Sequence, residues 1–216
     1  MNVNVQQIIE TQQRQMQSSN GANALQICKD ARCLEVVRRF GNAQNLAVAY
    51  TKGLQPYMSD AVQREKMVVS RNAPSVSVIC KSFQTGRAAA ENVVGFHLIK
   101  LATAVGVAYN DEVVQEVASD VVDAFGWMSL AQIAVAFKYA REGQLRDAHG
   151  KNLAAMYGTL SGAVVADCLR AFNLQCRVPM LEKWEQAERR TRAAEEMKTA
   201  VTFEEWQKMK NQKQQE

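Results

Sequence analysis

The sequence predicts an all-α fold: a compact multi-helix domain followed by a long charged C-terminal helix. Three observations carry that prediction. Proline is scarce, at 3 of 216 residues, and proline is the residue that most strongly interrupts helices. Ala, Val, Leu, Gln, Glu, Lys and Arg are abundant, and most of these lose little on entering a helix. Apolar residues recur at intervals of three and four positions along most of the chain, as one face of a helix requires. The alternating stretch Ser75-Val76-Ser77-Val78 has no second strand to pair with, and Pro74 before it suits the first position of a helix, so it too is read as helical.

The elements follow in order. The first seventeen residues hold six Gln, with Val5, Ile8, Ile9 and Met16 as a thin apolar stripe, a marginal helix or a docking arm; SSNG at 18–21 breaks it. From Ala22, a stripe of Leu25, Cys28, Cys33, Leu34, Val37 and Phe40 predicts a helix that Gly41 can end. NLAVAYTKGLQPYM continues as helix to a boundary at Pro56, and Ser59 is a candidate cap for SDAVQREKMVVSR. Ala88 to Ala108 is apolar around much of its girth (Val93, Val94, Phe96, Leu98, Leu101, Val105), so it belongs at the centre, with His97 a satisfied core histidine. Asn110 caps a helix to Phe125, with Asp111 and Glu112 in its first turn, Val114, Val117 and Val121 inward, and Glu116, Asp120 and Asp123 on a solvated face. Ser129 and Gln132 form a capping box for a helix carrying Leu130, Ile133, Ala134, Phe137 and Ala140, and Gly143 can close it. After a connector, Thr159 or Ser161 starts a helix with Val165, Cys168, Leu169 and Phe172 on one face.

Beyond Pro179 the composition turns charge-rich, with acid-before-base pairs Glu185–Arg189 and Glu188–Arg192 four residues apart. Met180, Trp184, Ala187, Ala194 and Met197 leave a narrow apolar seam suited to one partner helix. Thr202 and Glu205 make a second capping box, in which Val201 can staple onto Trp206. Three parts result: a Gln-rich N-terminal arm (1–19), a helical core domain (20–178) and a charged C-terminal helical extension (179–216).

The net charge is +4, unevenly spread: residues 1–56 and 57–108 each carry six basic and three acidic side chains, whereas 109–176 carry five and eight. An electropositive first half permits contact with DNA or RNA backbone, for which Arg38, Arg39, Lys52, Arg64, Lys66, Arg71, Lys81 and Arg87 are the candidates. The seam of Met180, Trp184, Ala187, Ala194, Met197 and Trp206 is the candidate surface for a protein partner or for self-association. Sequence-specific readout is not expected: the gap from Gly143 to Thr159 is too long for a helix-turn-helix, and GAVVADCLRAF offers few side chains to base edges. No nucleotide-loop, hydrolase-elbow or zinc-protease motif occurs, so no catalytic residues are assigned. His97 or His149 would need converging carboxylates such as Asp120. The cysteines at 28, 33, 80, 168 and 176 form no CxxC pair; they are read as reduced thiols, with no metal site and no cofactor. With no signal-like start and no apolar run near ~20 residues, the chain is expected to stay in the cytoplasm, off the membrane.

MSLAQIAVAFKYAREGQL and MYGTLSGAVVADCLRAFNLQCR together resemble a group of uncharacterised small helical proteins of gut-bacterial phages and mobile elements. The shared pattern falls on Leu130, Phe137, Gly143, Tyr157-Gly158, Phe172 and Arg177 and covers about residues 110–178; the stretch between Gly143 and Tyr157 is longer than in the tighter forms. The resemblance implies a phage or mobile-element setting, in the bacterial host, with a role in replication. The expected function is therefore a non-enzymatic accessory factor of DNA replication or processing that binds nucleic-acid backbone and a protein partner. The alternative is a structural or host-interaction helical homo-oligomer, virion-associated or not, that binds no nucleic acid.

Overall fold

Five helices begin where a short polar side chain (Asp30, Asn42, Asp60, Asn110 or Ser129) accepts a free amide of the first turn. The computed structural model describes residues 30–147, 149–153, 159–199 and 207, and among these the secondary structure is helical, with isolated bridges in place of strands. Helix α1 (Ala31–Phe40) is capped by Asp30, whose carboxylate accepts from Arg32 N at 2.9 Å. It buries Cys33 and Val36 and leaves Leu34 outside. Leu34 lies about 100° round the helix from Cys33, so the expected stripe holds for Cys33 and Val37 but not for Leu34. The chain turns at Gly41, whose φ of 74° suits glycine. Asn42 then caps α2 (Ala43–Tyr50), and Pro56 lies in a short 3-10 turn (Gln55–Tyr57). Helix α3 (Ala61–Val69) is capped by Asp60 rather than Ser59, because its carboxylate reaches the amides of both Val62 and Gln63, at 2.8 and 3.4 Å.

The stretch at 75–82 is a helix, α4 (Val76–Ser82), but Pro74 precedes the cap instead of opening the helix. Its first amides are satisfied from elsewhere: Val76 N donates to the Met128 carbonyl and Ser77 N to the Gly126 carbonyl, both at 2.8 Å. Helix α5 (Gly86–Val105) is the axis of the molecule, packed by α2 and α4 and by two later helices, α6 (Asp111–Ala124) and α7 (Leu130–Arg141). Gly86 permits the close crossing of α4, since a Cβ there would stand 2.2 Å from the Ile79 carbonyl oxygen. Asn110 caps α6 as expected. The α7 box is also present: Gln132 N donates to Ser129 Oγ at 3.2 Å and Ser129 N to Gln132 Oε1 at 3.1 Å. The other end of the Gln132 amide donates to the Val68 carbonyl at 2.7 Å, so one buried side chain closes the start of α7 and the end of α3. Helix α7 is buried along almost its whole length, Lys138 and Arg141 excepted. Its stretch MSLAQIAVAFKYAREG is a wall of the core.

Helix α8 (Gly162–Phe172) runs without a break through a π-helical turn (Asn173–Arg177) into α9 (Val178–Thr199). Pro179 explains the wide turn. A proline in a regular helix has no amide to give the carbonyl four residues back, and its ring collides with it; a π turn opens that site, and Val178 N reaches back to Asn173 O. The composition change at 178/179 therefore falls inside one long helix and not at a hinge. Near its start α9 lies along α3. Arg71 stacks on the Trp184 ring at 4.6 Å and pairs with Glu188 at 3.0 Å, and Lys183 pairs with Glu65 at 3.1 Å. Residues 189–197 are all exposed. Among the described residues no helix is long and apolar enough to cross a membrane.

Candidate nucleic-acid interface

The eight basic residues singled out by charge do not share one surface. Arg64 is a correction: it is buried, at 8% exposure, with its guanidinium donating to the Met58 carbonyl at 2.7 Å, 3.8 Å from Glu142 and over the Tyr139 ring. It holds the α2–α3 connection to α7 and faces no ligand. Arg87 is exposed but engaged. Two of its nitrogens grip the Asp123 carboxylate at 2.7 and 2.9 Å, Nε takes Glu91 at 2.8 Å, and Ser119 accepts at 3.0 Å. Arg87 thereby pulls the Asp123 carboxyl below its usual range, so Asp123, read as merely solvated, ties α6 to α5. Arg71 is committed to α9. A phosphate would have to displace a matched carboxylate at Arg71 and at Arg87.

The remaining five stay exposed, and none pairs with a carboxylate among the described residues. Three belong together. Helix α1 is about 15 Å long. At its N-terminal end Lys81 of α4 is close enough to Asp30 to help hold that carboxyl down, behind the contacts Asp30 receives from Arg32. At its C-terminal end stand Arg38 and Arg39, the latter donating to the Asn72 carbonyl at 3.3 Å beside Arg71. Basic side chains in the last turn also suit the helix dipole. The result is a loose strip from Lys81 and Arg32 to Arg39, with Arg38 about 100° round the helix from Arg39 and Arg71 beyond it already paired with Glu188, broken by Asp30 and Glu35. Its length matches about four phosphate spacings of one strand. Arg32 was not among the sequence candidates, although it carries the same electropositive signal. Lys52, in the turn after α2, and Lys66, on α3, stand outside the strip.

The candidate partner seam divides in the same way. Met180 packs against the core and Trp184 is covered by Arg71, so this half is used within the chain. Ala187, Ala194 and Met197 are exposed, Met197 at 80%. Trp206, the second capping box at Thr202, the N-terminal arm and Tyr157-Gly158 lie outside the described residues. Among the described residues no three His, Cys, Asp or Glu side chains gather as metal ligands. His97 is buried at 3% exposure and its Nε2 donates to the Tyr50 carbonyl at 2.9 Å; among the described residues no carboxylate acts on it. Lys100, Lys138 and Arg141, unassigned by the sequence reading, gather where α5 packs on α7. No protein-family model matches the chain, and no curated protein or solved structure matches it significantly.

Proposed function

We propose that this protein is a non-enzymatic accessory factor that binds nucleic-acid backbone through the α1 strip, chiefly Arg38, Arg39 and Lys81. The observation that carries the reading is that these three cations lie along one helix length, exposed and without carboxylate partners among the described residues, while Arg64, Arg71 and Arg87 are taken up by internal pairs. The strip offers charged Arg and Lys ends, so contact is with phosphate and independent of sequence. Its setting in phage or mobile-element DNA replication rests on the resemblance of residues 110–178, and a protein partner would meet the distal part of α9.

The test is fluorescence anisotropy with a 20-nucleotide single strand and the matching duplex. Three released counterions give a duplex salt slope of about −2.7, so raising NaCl from 50 to 200 mM weakens binding roughly 40-fold. Joint replacement of Arg38, Arg39 and Lys81 by Gln abolishes binding at both salts. No binding at 50 mM NaCl, or undiminished binding by the triple variant, sinks the reading.

A second reading is favoured by the exposure of residues 189–197 on every side: self-association through the end of α9. Light scattering of the full chain and of Met197→Glu tests it. An oligomer that the substitution dissociates supports association, and a monomer in both rejects it.

A further inference from the structure

A second basic cluster lies where α5 and α7 pack together. Lys100 is half-buried, its ammonium over the Phe96 ring at 4.9 Å and donating to Gln55 Oε1. Lys138 and Arg141 stand in the last turn of α7, and both are close enough to Lys100 to disfavour its charge. Glu142 supplies the negative charge here, and it is already shared: Lys138 Nζ is 2.8 Å from one oxygen and buried Arg64 3.8 Å from the other. Arg141, half-buried, has no acceptor for its guanidinium among the described residues. Lys138, Arg64 and Arg141 thus share one carboxylate in a partly desolvated place, with Lys100 beside two of them. Burial lowers Lys100 below its ordinary value, with Arg141 and then Lys138 adding to the effect, and burial lowers Arg141 as well.

Such an arrangement costs the free protein stability, because neighbouring cations repel and lose hydration together. The dipole of α7 offsets part of this for Lys138 and Arg141 at its C-terminus, but Lys100, in the second-last turn of another helix, gains nothing from it. What relieves Lys100 and Arg141, sharing Lys138 with Glu142, is an anion of more than one charge. The planar fork of Arg141 can hold two oxygens of a tetrahedral group while the two ammonium groups, as point charges, approach the rest.

We propose that Lys100, Lys138 and Arg141 form a site for a phosphoryl dianion, separate from the α1 strip. The group is either free phosphate or the terminal phosphate of a nucleotide chain. The site does not depend on the nucleic-acid reading and stands if the strip proves inert.

The experiment follows the melting temperature and binding heat of the full chain as sodium phosphate replaces sodium chloride at constant ionic strength and pH 7.5. Phosphate binds saturably and raises the melting temperature, whereas sodium acetate at the same ionic strength does not. Arg141→Gln weakens phosphate binding at least tenfold, as does Lys100→Gln; two variants are used because Lys100 packs on Phe96, and circular dichroism confirms that each is folded. The Arg38, Arg39 and Lys81 triple Gln variant keeps the phosphate response. Two further arms, a 5′-phosphorylated oligonucleotide and the same oligonucleotide without the phosphate, separate the sources. Tighter binding of the first that Arg141→Gln erases assigns a terminal phosphate, and a response to inorganic phosphate alone assigns a free one; either supports the site. An acetate response equal to that of phosphate, or a phosphate response lost in the triple variant and kept in Arg141→Gln, overturns it.

Discussion

Lowering the pH from 7 to 5 should destabilise this protein through one residue, His97. Burial is the main cause of the depressed affinity of its ring for a proton, the Tyr50 carbonyl opposes it, and the nearby Lys100 and Arg141 add to it; the result is a pKa of about 4 in the folded chain, against about 6.5 unfolded. The sign follows directly. Between these values the unfolded chain binds a proton that the folded chain refuses, so stability is complete above pH 6.5 and falls as pH drops toward 4. The linkage is worth about 2 kcal/mol at pH 5 and about 3 kcal/mol at pH 4, a large share of the 5–15 kcal/mol typical of a domain. Asp30, Asp123 and Asp147 have lowered values and lose their stabilising contacts only as pH falls toward and below the ordinary carboxyl range, so pH 5 to 7 isolates the histidine. Urea unfolding followed by tryptophan fluorescence at pH 7, 6 and 5 gives the curve. His97→Gln retains an amide donor for the Tyr50 carbonyl and cannot titrate. It should be less stable at pH 7, by about 1–2 kcal/mol for a repacked buried site, yet lose far less between pH 7 and 5. An equal loss in both proteins would refute the assignment, and so would a flat curve in the parent.

Three further outcomes follow from the packing. Gln132→Ala removes the side-chain half of the α7 capping box and strands the Ser129 amide and the Val68 carbonyl, so urea unfolding should show a loss of about 2–4 kcal/mol, whereas Ser129→Ala, which leaves the Val68 bond intact, should cost about 1 kcal/mol. Cys168 is fully buried and its thiol is pushed up to about 12 by burial first and Asp167 second; alkylation with iodoacetamide at pH 8, mapped by mass spectrometry, should leave Cys168 unmodified until urea unfolds the chain. Trp184→Ala removes the ring beneath Arg71, and hydrogen exchange should then rise in α9 around residues 180–188 while α5 and α7 keep their protection; unchanged exchange there would mean that the stack does not hold α9 to α3.

The fold was legible in the sequence where its signals are local. Asn110, Ser129 with Gln132, and Gly41 act within four residues of themselves, and the structure uses them as their spacing implies. The apolar girth of 86–105 was equally readable, since a helix buried on all sides needs apolar residues on all sides. Errors arose where the partner lies far along the chain. Pro74 does not open α4, because the first amides of that helix are taken by carbonyls near residue 127. Pro179 read as a boundary, because nothing local announces that the π turn at 173–177 absorbs it. Half of the apparent docking seam, Met180 and Trp184, was already meeting α3 and Arg71 of the same chain.

The basic residues show the same limit most sharply. A count of Lys and Arg gives the charge of a segment, but whether a charge is available depends on what faces it. Arg87 meets Asp123 across 36 residues and Arg71 meets Glu188 across 117, while Arg64 is enclosed by Met58 and Tyr139. These three carry the same charge as Arg38, Arg39 and Lys81 and have the least to offer a phosphate. The reverse holds for Lys100: in sequence it only interrupts an apolar run, and that is the signal, because a lysine kept in the wall of a buried helix must send its ammonium to one opening. The packing of α5 on α7 sets Lys100 beside Lys138 and Arg141, a neighbourhood of cations that the apolar periodicity of the two helices does not announce.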